Sequence, residues 1–122
     1  MKPHPLIAAL TKACRGVLFP SESDAPLEPF TWDGSGEPTS AALTQSAGLD
    51  RKTPTQTTDL ASLFRAVPKA KKAKFDAIAK LLSEHVSDIR VVKIGEVNVT
   101  VFVLGKTKDG MWMGLKTEVV ET

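Results

Sequence analysis

This chain has one cysteine and no long apolar run, and each of these shortages excludes a structural feature. A single cysteine, Cys14, excludes an intramolecular disulfide and fits a reducing compartment, where it would serve as a small core residue. The apolar run Leu6–Leu10 is far shorter than the ~20 residues of a membrane span, and its flanks do not fit a signal peptide. We therefore predict a cytoplasmic protein that has no membrane segment.

The chain also has little net charge. Its 16 basic and 14 acidic residues leave a formal charge of +2, which is too weak to indicate nucleic acid or membrane as a partner. A length of 122 residues fits one domain, which we place at residues 1–122. A chain of this length buries enough surface to fold without a disulfide or a structural metal.

Signatures of catalysis are weak. His4 and His85 have no cysteines or acids at metal-ligand spacing, and the chain has no P-loop, nucleophile elbow or dinucleotide fingerprint. Glu22 and Asp24 could serve as an acid–base pair only if their surroundings separated their pKa values, which an exposed loop seldom does. We predict that the protein is not an enzyme and holds no cofactor or metal of its own.

What the chain does have is a succession of helical and strand patterns. We predict helices over residues 5–15, 38–47, 60–66 and 68–87. The last is the strongest, because its apolar residues from Phe75 to Val86 recur at the spacing of one helical face. Asp59 is a suitable N-cap for the helix that starts at Leu60. Residues 49–58, rich in threonine and glutamine, are predicted to form a loop.

Strand patterns dominate the C-terminal third. We predict strands over residues 27–33, 89–94, 96–104 and 111–120, with a hairpin loop at 105–110. Val101–Leu104 is apolar at both parities, which is typical of a strand that is buried on both faces. Trp32 and Trp112 fall in strands, and we predict that both pack against neighbours. The fold class that follows is α/β, a three-layer α/β/α sandwich around a largely antiparallel sheet.

Two acidic segments are candidates for binding. Residues 21–26 carry Glu22 and Asp24 between prolines, which predicts an exposed and fairly stiff loop. Residues 118–122 follow a predicted strand and end the chain with two glutamates, the Thr122 hydroxyl and an α-carboxylate. Oxygen donors of this kind suit hard cations and basic clefts. The plain alternative is that the domain simply finishes with its last strand.

A lysine run precedes the long helix. Its members are Lys69, Lys71, Lys72 and Lys74. The simplest interpretation is a solvated first helical turn, and the functional alternative is a patch that contacts phosphates. Lysines at a helix start oppose the helix dipole, and no aromatic residues interleave with them to stack on bases. A nucleic-acid partner is therefore disfavoured.

Several stretches resemble the nuclease A inhibitor family, and together they span nearly the whole chain. Two stretches resemble the front half of the family, namely Val17–Asp24 and Phe30–Gly34. One stretch resembles its long helix, Phe75–Leu82, and three resemble its C-terminal half, Ile94–Val97, Val101–Thr107 and Lys116–Thr122. The Ser-Glu-Ser loop and the terminal Val-Val-Glu-Thr are the most specific of these.

The resemblance implies the same α/β/α fold and a function. It implies a protein inhibitor of a metal-dependent, sugar-non-specific nuclease of the ββα-metal type that blocks the active site of the nuclease. We predict that the protein is a monomer when free. Glu22 matches a main interface residue of the family's namesake, and Thr122 matches a terminal threonine that contacts the nuclease's catalytic magnesium ion. We carry over Glu22, Asp24 and Thr122 as partner-binding residues. Their oxygens would take the place of substrate oxygens in an electropositive cleft.

The chain departs from the family's pattern before the long helix. The namesake has an acidic loop with a tryptophan there, whereas Val67–Lys72 is shorter, lacks tryptophan and inverts the charge. Two alternatives stay open. Either the partner nuclease differs in charge near this loop, or the chain is a non-catalytic binding module of the same fold. In the second case its partner would be another protein or a nucleic acid, bound through the lysine-rich helix start.

Overall fold

The structure, a computed structural model, describes residues 5–19, 25–32, 37–50, 52–65 and 67–120. The helices in these ranges are α1 (Pro5–Ala13), α2 (Ser40–Ser46), α3 (Leu60–Phe64) and α4 (Lys72–His85), with a 3₁₀ turn at Lys69–Lys71. The strands are β1 (Leu18–Phe19), β2 (Ala25–Pro26), β3 (Glu28–Trp32), β4 (Thr55–Thr58), β5 (Val86–Ile94), β6 (Asn98–Thr107) and β7 (Trp112–Val120). The chain is a mixed α/β protein.

Five strands form one antiparallel sheet in the order β3-β7-β6-β5-β4, and β1 pairs with β2 in a separate two-stranded ladder. The longest pairing, between β6 and β7, runs from Asn98 opposite Val120 to Lys106 opposite Trp112. The β6 strand has ten residues and therefore spans about 30 Å. The sheet thus has two distant ends, one at the β6–β7 turn and one at Val120.

The predicted loop over residues 49–58 is wrong in its second half. Thr55–Thr58 forms the edge strand β4, paired with β5 from Thr55 opposite Ile94 to Thr58 opposite Val91. Three of its four residues are exposed. The sequence of such a strand shows no apolar alternation. The strand forms because its backbone pairs with β5, and not because its own side chains pack in the core.

Among the predicted boundaries that differ from the structure, two are set by strand pairing. Val86 fits the apolar stripe of the long helix but is the first residue of β5, where it pairs with Thr107. The β6 strand continues to Thr107, which shortens the predicted hairpin loop to residues 108–111. In both places the chain gains ladder hydrogen bonds that the local pattern does not reveal.

Apolar side chains cover both faces of the sheet. One cluster joins Val91, Val101 and Val103 to residues of α1, α3 and α4, and the other joins Phe102 and Leu104 to Leu43 of α2. All four residues of Val101–Leu104 are at most 3% exposed, so the prediction of a strand buried on both faces is confirmed. Trp32 and Trp112 lie opposite each other in β3 and β7 and are half-buried, as predicted.

Two smaller predictions are confirmed as well. The Asp59 carboxylate accepts a hydrogen bond from the Ser62 N–H at 2.7 Å, which caps α3 and lowers the pKa of that carboxyl. Cys14 is 5% exposed, and burial raises the pKa of its thiol to about 11. A thiol with that pKa is almost entirely protonated at neutral pH and is therefore unreactive. Its burial makes Cys14 a core residue, as predicted. No helix in the described ranges has the length and apolar character to cross a membrane.

Candidate functional site

The three predicted binding residues, Glu22, Asp24 and Thr122, lie outside the described residues. The structure does describe the elements on either side of them. Glu22 and Asp24 belong to residues 20–24, which connect β1 to β2, and we call these five residues the acidic segment. Thr122 lies two positions beyond Val120, where β7 ends. The site is therefore built from β1, β2 and β7.

The β1–β2 ladder holds the two ends of the acidic segment together. Phe19 pairs with Ala25 directly across the segment, and Leu18 pairs with Pro26. The Phe19 side chain is 3% exposed, and its ring meets the Phe75 ring edge-on with 5.9 Å between their centroids. An aromatic contact of this geometry adds to the stabilisation that burial alone gives. Phe19, the described residue that precedes the acidic segment, is thus anchored in the core against α4.

The β2 strand also lies against β7. The Thr117 hydroxyl donates a hydrogen bond to the Pro26 carbonyl oxygen at 3.1 Å, and Thr117 is 4% exposed. The next strand, β3, runs antiparallel to β7 from Glu28 opposite Lys116. Residues that precede Glu28 therefore lie toward the end of the sheet at which β7 reaches Val120. Ala25 and Pro26, which follow the acidic segment, therefore lie beside Thr117 and Glu118 near the Val120 end of β7.

Replacing Thr117 with valine tests whether this hydrogen bond stabilises the packing of β2 on β7. Thr117→Val leaves the Pro26 carbonyl without its buried partner, and we expect a loss of about 0.5–1.5 kcal/mol in the free energy of unfolding, measured by urea denaturation. Thr31→Val, in the half of β3 that pairs beside the other end of β7, is the matched control. A stability loss no larger than that of the control would show that the bond does not hold β2 on β7.

The start of α4 lies beside the same elements, since Phe75 of its first turns contacts Phe19. The four lysines of residues 69–74 are all exposed, which agrees with the predicted solvated turn. The first turn of α4 has no acidic residue, and its N-cap, Lys71, makes no side-chain capping bond. None of the four lysines forms an ion pair with another described residue. Within the described part of the chain, no ion pair balances the positive charge at this end of the helix.

Groups suited to chemistry are not assembled elsewhere in the described ranges. No cluster of three or more histidine, cysteine, aspartate or glutamate residues that could hold a metal occurs there. His85 is exposed, and its Nδ1 lies 2.9 Å from the Leu81 carbonyl oxygen of its own helix. A groove of about 520 Å³ between α3 and α4 includes Arg65, Lys72 and Asp76 but no histidine or cysteine.

Sequence reasoning missed the residues that position the acidic segment. Thr117 is a threonine on the same strand parity as Leu115 and Val119, which both face the core. A polar residue at an inward position of a strand is a usable signal, because a buried hydroxyl needs a hydrogen-bond partner. The identity of that partner, the Pro26 carbonyl, depends on a contact between distant parts of the chain.

A comparison with known protein families covers all of these elements in one match. The model of one protein family, described as nuclease A inhibitor-like protein, matches residues 4–122. The matched range includes the acidic segment, the lysine-bearing helix start and the C-terminal residues. No curated protein matches the sequence.

Proposed function

This chain belongs to the nuclease A inhibitor-like family, and on that premise we propose that it inhibits a metal-dependent, sugar-non-specific nuclease of the ββα-metal type. The family implies a nuclease inhibitor, with a nuclease as its protein partner. The observation that carries the finer proposal is the hydrogen bond from Thr117 to Pro26, which docks the base of the acidic segment on the last strand. One partner surface could then meet both the acidic segment and the C-terminal residues.

The proposed mechanism needs binding groups and no chemistry of the inhibitor's own. Glu22 and Asp24 would present carboxylates to the electropositive cleft, and Thr122 would contact the metal ion of the nuclease. A nuclease cleft is shaped to attract phosphate, so carboxylate and hydroxyl oxygens compete there with the substrate's oxygens. Support from Phe19, Thr117 and the β7 strand reduces the ordering that binding would otherwise require.

The proposal includes the architecture that keeps these groups in place. With α2 on one face of the sheet and α1, α3 and α4 on the other, we propose a three-layer α/β/α sandwich. Residues 1–122 would form one domain that is monomeric when free, acts in the cytoplasm, and needs no cofactor or metal of its own.

A titration against a nuclease tests the proposed function. The purified protein is added to a ββα-metal nuclease that digests plasmid DNA in the presence of magnesium. We expect cleavage to stop at about one inhibitor per nuclease, as tight active-site binding requires. A metal-independent ribonuclease, assayed on RNA, is the control and should keep its activity. Undiminished plasmid cleavage at a large molar excess of the protein would contradict the proposal.

A second candidate function keeps the fold and changes the partner. The exposed lysines at the start of α4, which form no ion pair with another described residue, favour it, since they could contact nucleic-acid phosphates. Binding of labelled DNA or RNA at low salt, in the absence of any nuclease, is the measurement. An affinity that falls steeply with salt would support this candidate. The absence of binding at about 20 mM salt, where charges are screened little, would exclude it.

A further inference from the structure

The turn between β5 and β6, residues 95–97, displays an apolar side chain. Val97 is 53% exposed, which is more than any other large apolar residue in the described ranges. It has the same strand parity as three valines that are at most 3% exposed beneath the helices, Val99, Val101 and Val103. The row of inward-facing valines therefore continues past the helices that cover it, and its first member is left in solvent.

The backbone holds this turn in one conformation. Gly95 has a φ of 122°, which L side chains rarely adopt, and a Cβ built there would overlap the Asn98 carbonyl oxygen. The Gly95 N–H also donates a hydrogen bond of 2.9 Å to the Pro54 carbonyl oxygen, which ties the turn to the chain just before β4. Val97 is thus carried by an ordered support, so little conformational entropy is lost when a partner covers it.

The turn lies at the same end of the sheet as the proposed inhibitory site. Asn98, which follows the turn, pairs with Val120, where β7 ends. Neighbouring strands are about 5 Å apart, so Val97 lies close to the end of β7. A standard protein interface buries about 800 Å² on each partner, which is a patch roughly 30 Å across. A nuclease that receives the C-terminal residues would therefore also cover Val97.

Charge at this end of the sheet suits a basic partner. Glu96 in the turn and Glu118 in β7 are exposed, and neither forms an ion pair with another described residue. The lysines of the adjoining strands, Lys93 and Lys116, pair with Val101 and Phe102, farther into the sheet. The two glutamates have the same sign as the acidic segment, so the electropositive surroundings of a nuclease cleft attract this turn as well.

The features of the turn favour a protein as its occupant. Glutamates repel the phosphates of a nucleic acid, and one protruding valine gives a small molecule no cavity to enter. A protruding apolar side chain next to a carboxylate fits a shallow apolar depression that has arginine or lysine at its margin. The surface beside the cleft of the nuclease is the one that the position of the turn selects.

We propose that the β5–β6 turn is a further contact with the nuclease, in which Val97 enters an apolar depression beside the metal cleft and Glu96 meets a basic side chain at its margin. This inference rests on the proposed inhibitory function and deepens it, because it states what the nuclease presents next to its metal. The turn then determines specificity. A nuclease with a polar or acidic surface at that place would bind more weakly, even with an identical metal site.

Val97→Thr tests the apolar contact. It exchanges one methyl group for a hydroxyl and keeps the branched shape of the side chain. Met111→Thr is the matched control, since Met111 is 40% exposed and lies in the turn at the other end of the sheet. We expect Val97→Thr to raise the inhibition constant about fivefold, mainly through faster dissociation, and the control to leave it unchanged. Thermal unfolding of both variants should match that of the wild-type protein, because both side chains are exposed.

Gly95→Ala tests the support beneath Val97. The added Cβ must displace the turn, so we expect the inhibition constant to rise about fivefold or more although Val97 is kept. Gly48→Ala is the matched control, because Gly48 also has a positive φ, 74°, but has open space around its Cβ position and lies after α2. Both changes strain the backbone and should lower the midpoint of thermal unfolding, whereas only Gly95→Ala should weaken inhibition.

The outcomes separate this inference from the function on which it rests. If the wild-type protein inhibits the nuclease and Val97→Thr inhibits equally well, the contact at the turn is excluded while the inhibitory function stands. If the wild-type protein does not inhibit, the proposed function fails and the contact fails with it. If Val97→Thr weakens a self-association measured by sedimentation velocity and leaves inhibition unchanged, the turn contacts a second copy of the chain, which overturns the inference.

Discussion

Deleting Thr122 is expected to weaken inhibition of a ββα-metal nuclease by about 30-fold or more, which corresponds to on the order of 2 kcal/mol. The same loss is expected for Glu22→Ala. Each change removes oxygens that, in the proposed complex, are fully desolvated against a metal ion or a basic cleft. Contacts of that kind dominate binding energy, whereas exposed contacts at an interface rim contribute little. The measurement is the inhibition constant in a magnesium-dependent plasmid assay, with any purification tag at the N-terminus.

Matched controls make these losses interpretable. Glu84→Ala removes one glutamate from the last turn of α4, near the opposite end of the sheet, and its ion pair with Lys80 at 3.9 Å is solvent-exposed. It should inhibit as well as the wild-type protein. Adding two glycines after Thr122 keeps every side chain but displaces the terminal carboxylate, and it should weaken inhibition if the chain end enters the cleft. Full inhibition by both the Thr122 deletion and Glu22→Ala would exclude the proposed mechanism.

Phe75→Ala is expected to lower the free energy of unfolding by about 3–5 kcal/mol. Phe75 is 1% exposed, and its ring packs edge-on against Phe19 and Phe64 with centroid distances of 5.9 and 5.1 Å. Truncation to alanine opens a cavity where β1, α3 and α4 meet, so the transfer free energy and two aromatic contacts are lost together. Urea denaturation, with the m-value checked for constancy, measures the change.

Two comparisons show whether the effect comes from this aromatic junction. Phe75→Leu keeps most of the volume and should cost less than about 1.5 kcal/mol. Because Phe19 leads directly into the acidic segment, Phe75→Ala should also weaken inhibition under conditions in which it remains folded. A stability loss below about 1 kcal/mol would mean that the surrounding side chains collapse into the space and that the junction is not a support for the site.

Some features of this protein are determined by the sequence over short distances. The apolar stripe from Phe75 to Leu82 predicts α4, and the apolar residues at both parities of Val101–Leu104 predict a strand buried on both faces. Each pattern reports which faces of one element avoid water, and that property is local. Asp59 as a helix cap belongs to the same class, because the hydrogen bond spans three residues.

Other features depend on partners that are distant along the chain. Thr55–Thr58 is a strand because β5 pairs with it, and Val86 leaves the helix because Thr107 is available in β6. Local propensity favours a loop in the first case and a longer helix in the second. Strand pairing prevails because it satisfies backbone groups that would otherwise lack hydrogen bonds.

In the candidate site too, some features are determined by the sequence alone and others by the tertiary structure. By itself the sequence determined the chemistry available, namely the carboxylates of Glu22 and Asp24, the hydroxyl of Thr122 and the lysines of residues 69–74. Tertiary structure alone decided that Pro26 bonds Thr117, that Phe19 packs on Phe75, and that Leu18 borders the lysines. These contacts join residues about 50 to 90 positions apart. Periodicity within one element carries no information about which element lies beside it, so the assembly of the site is a property of the packed fold.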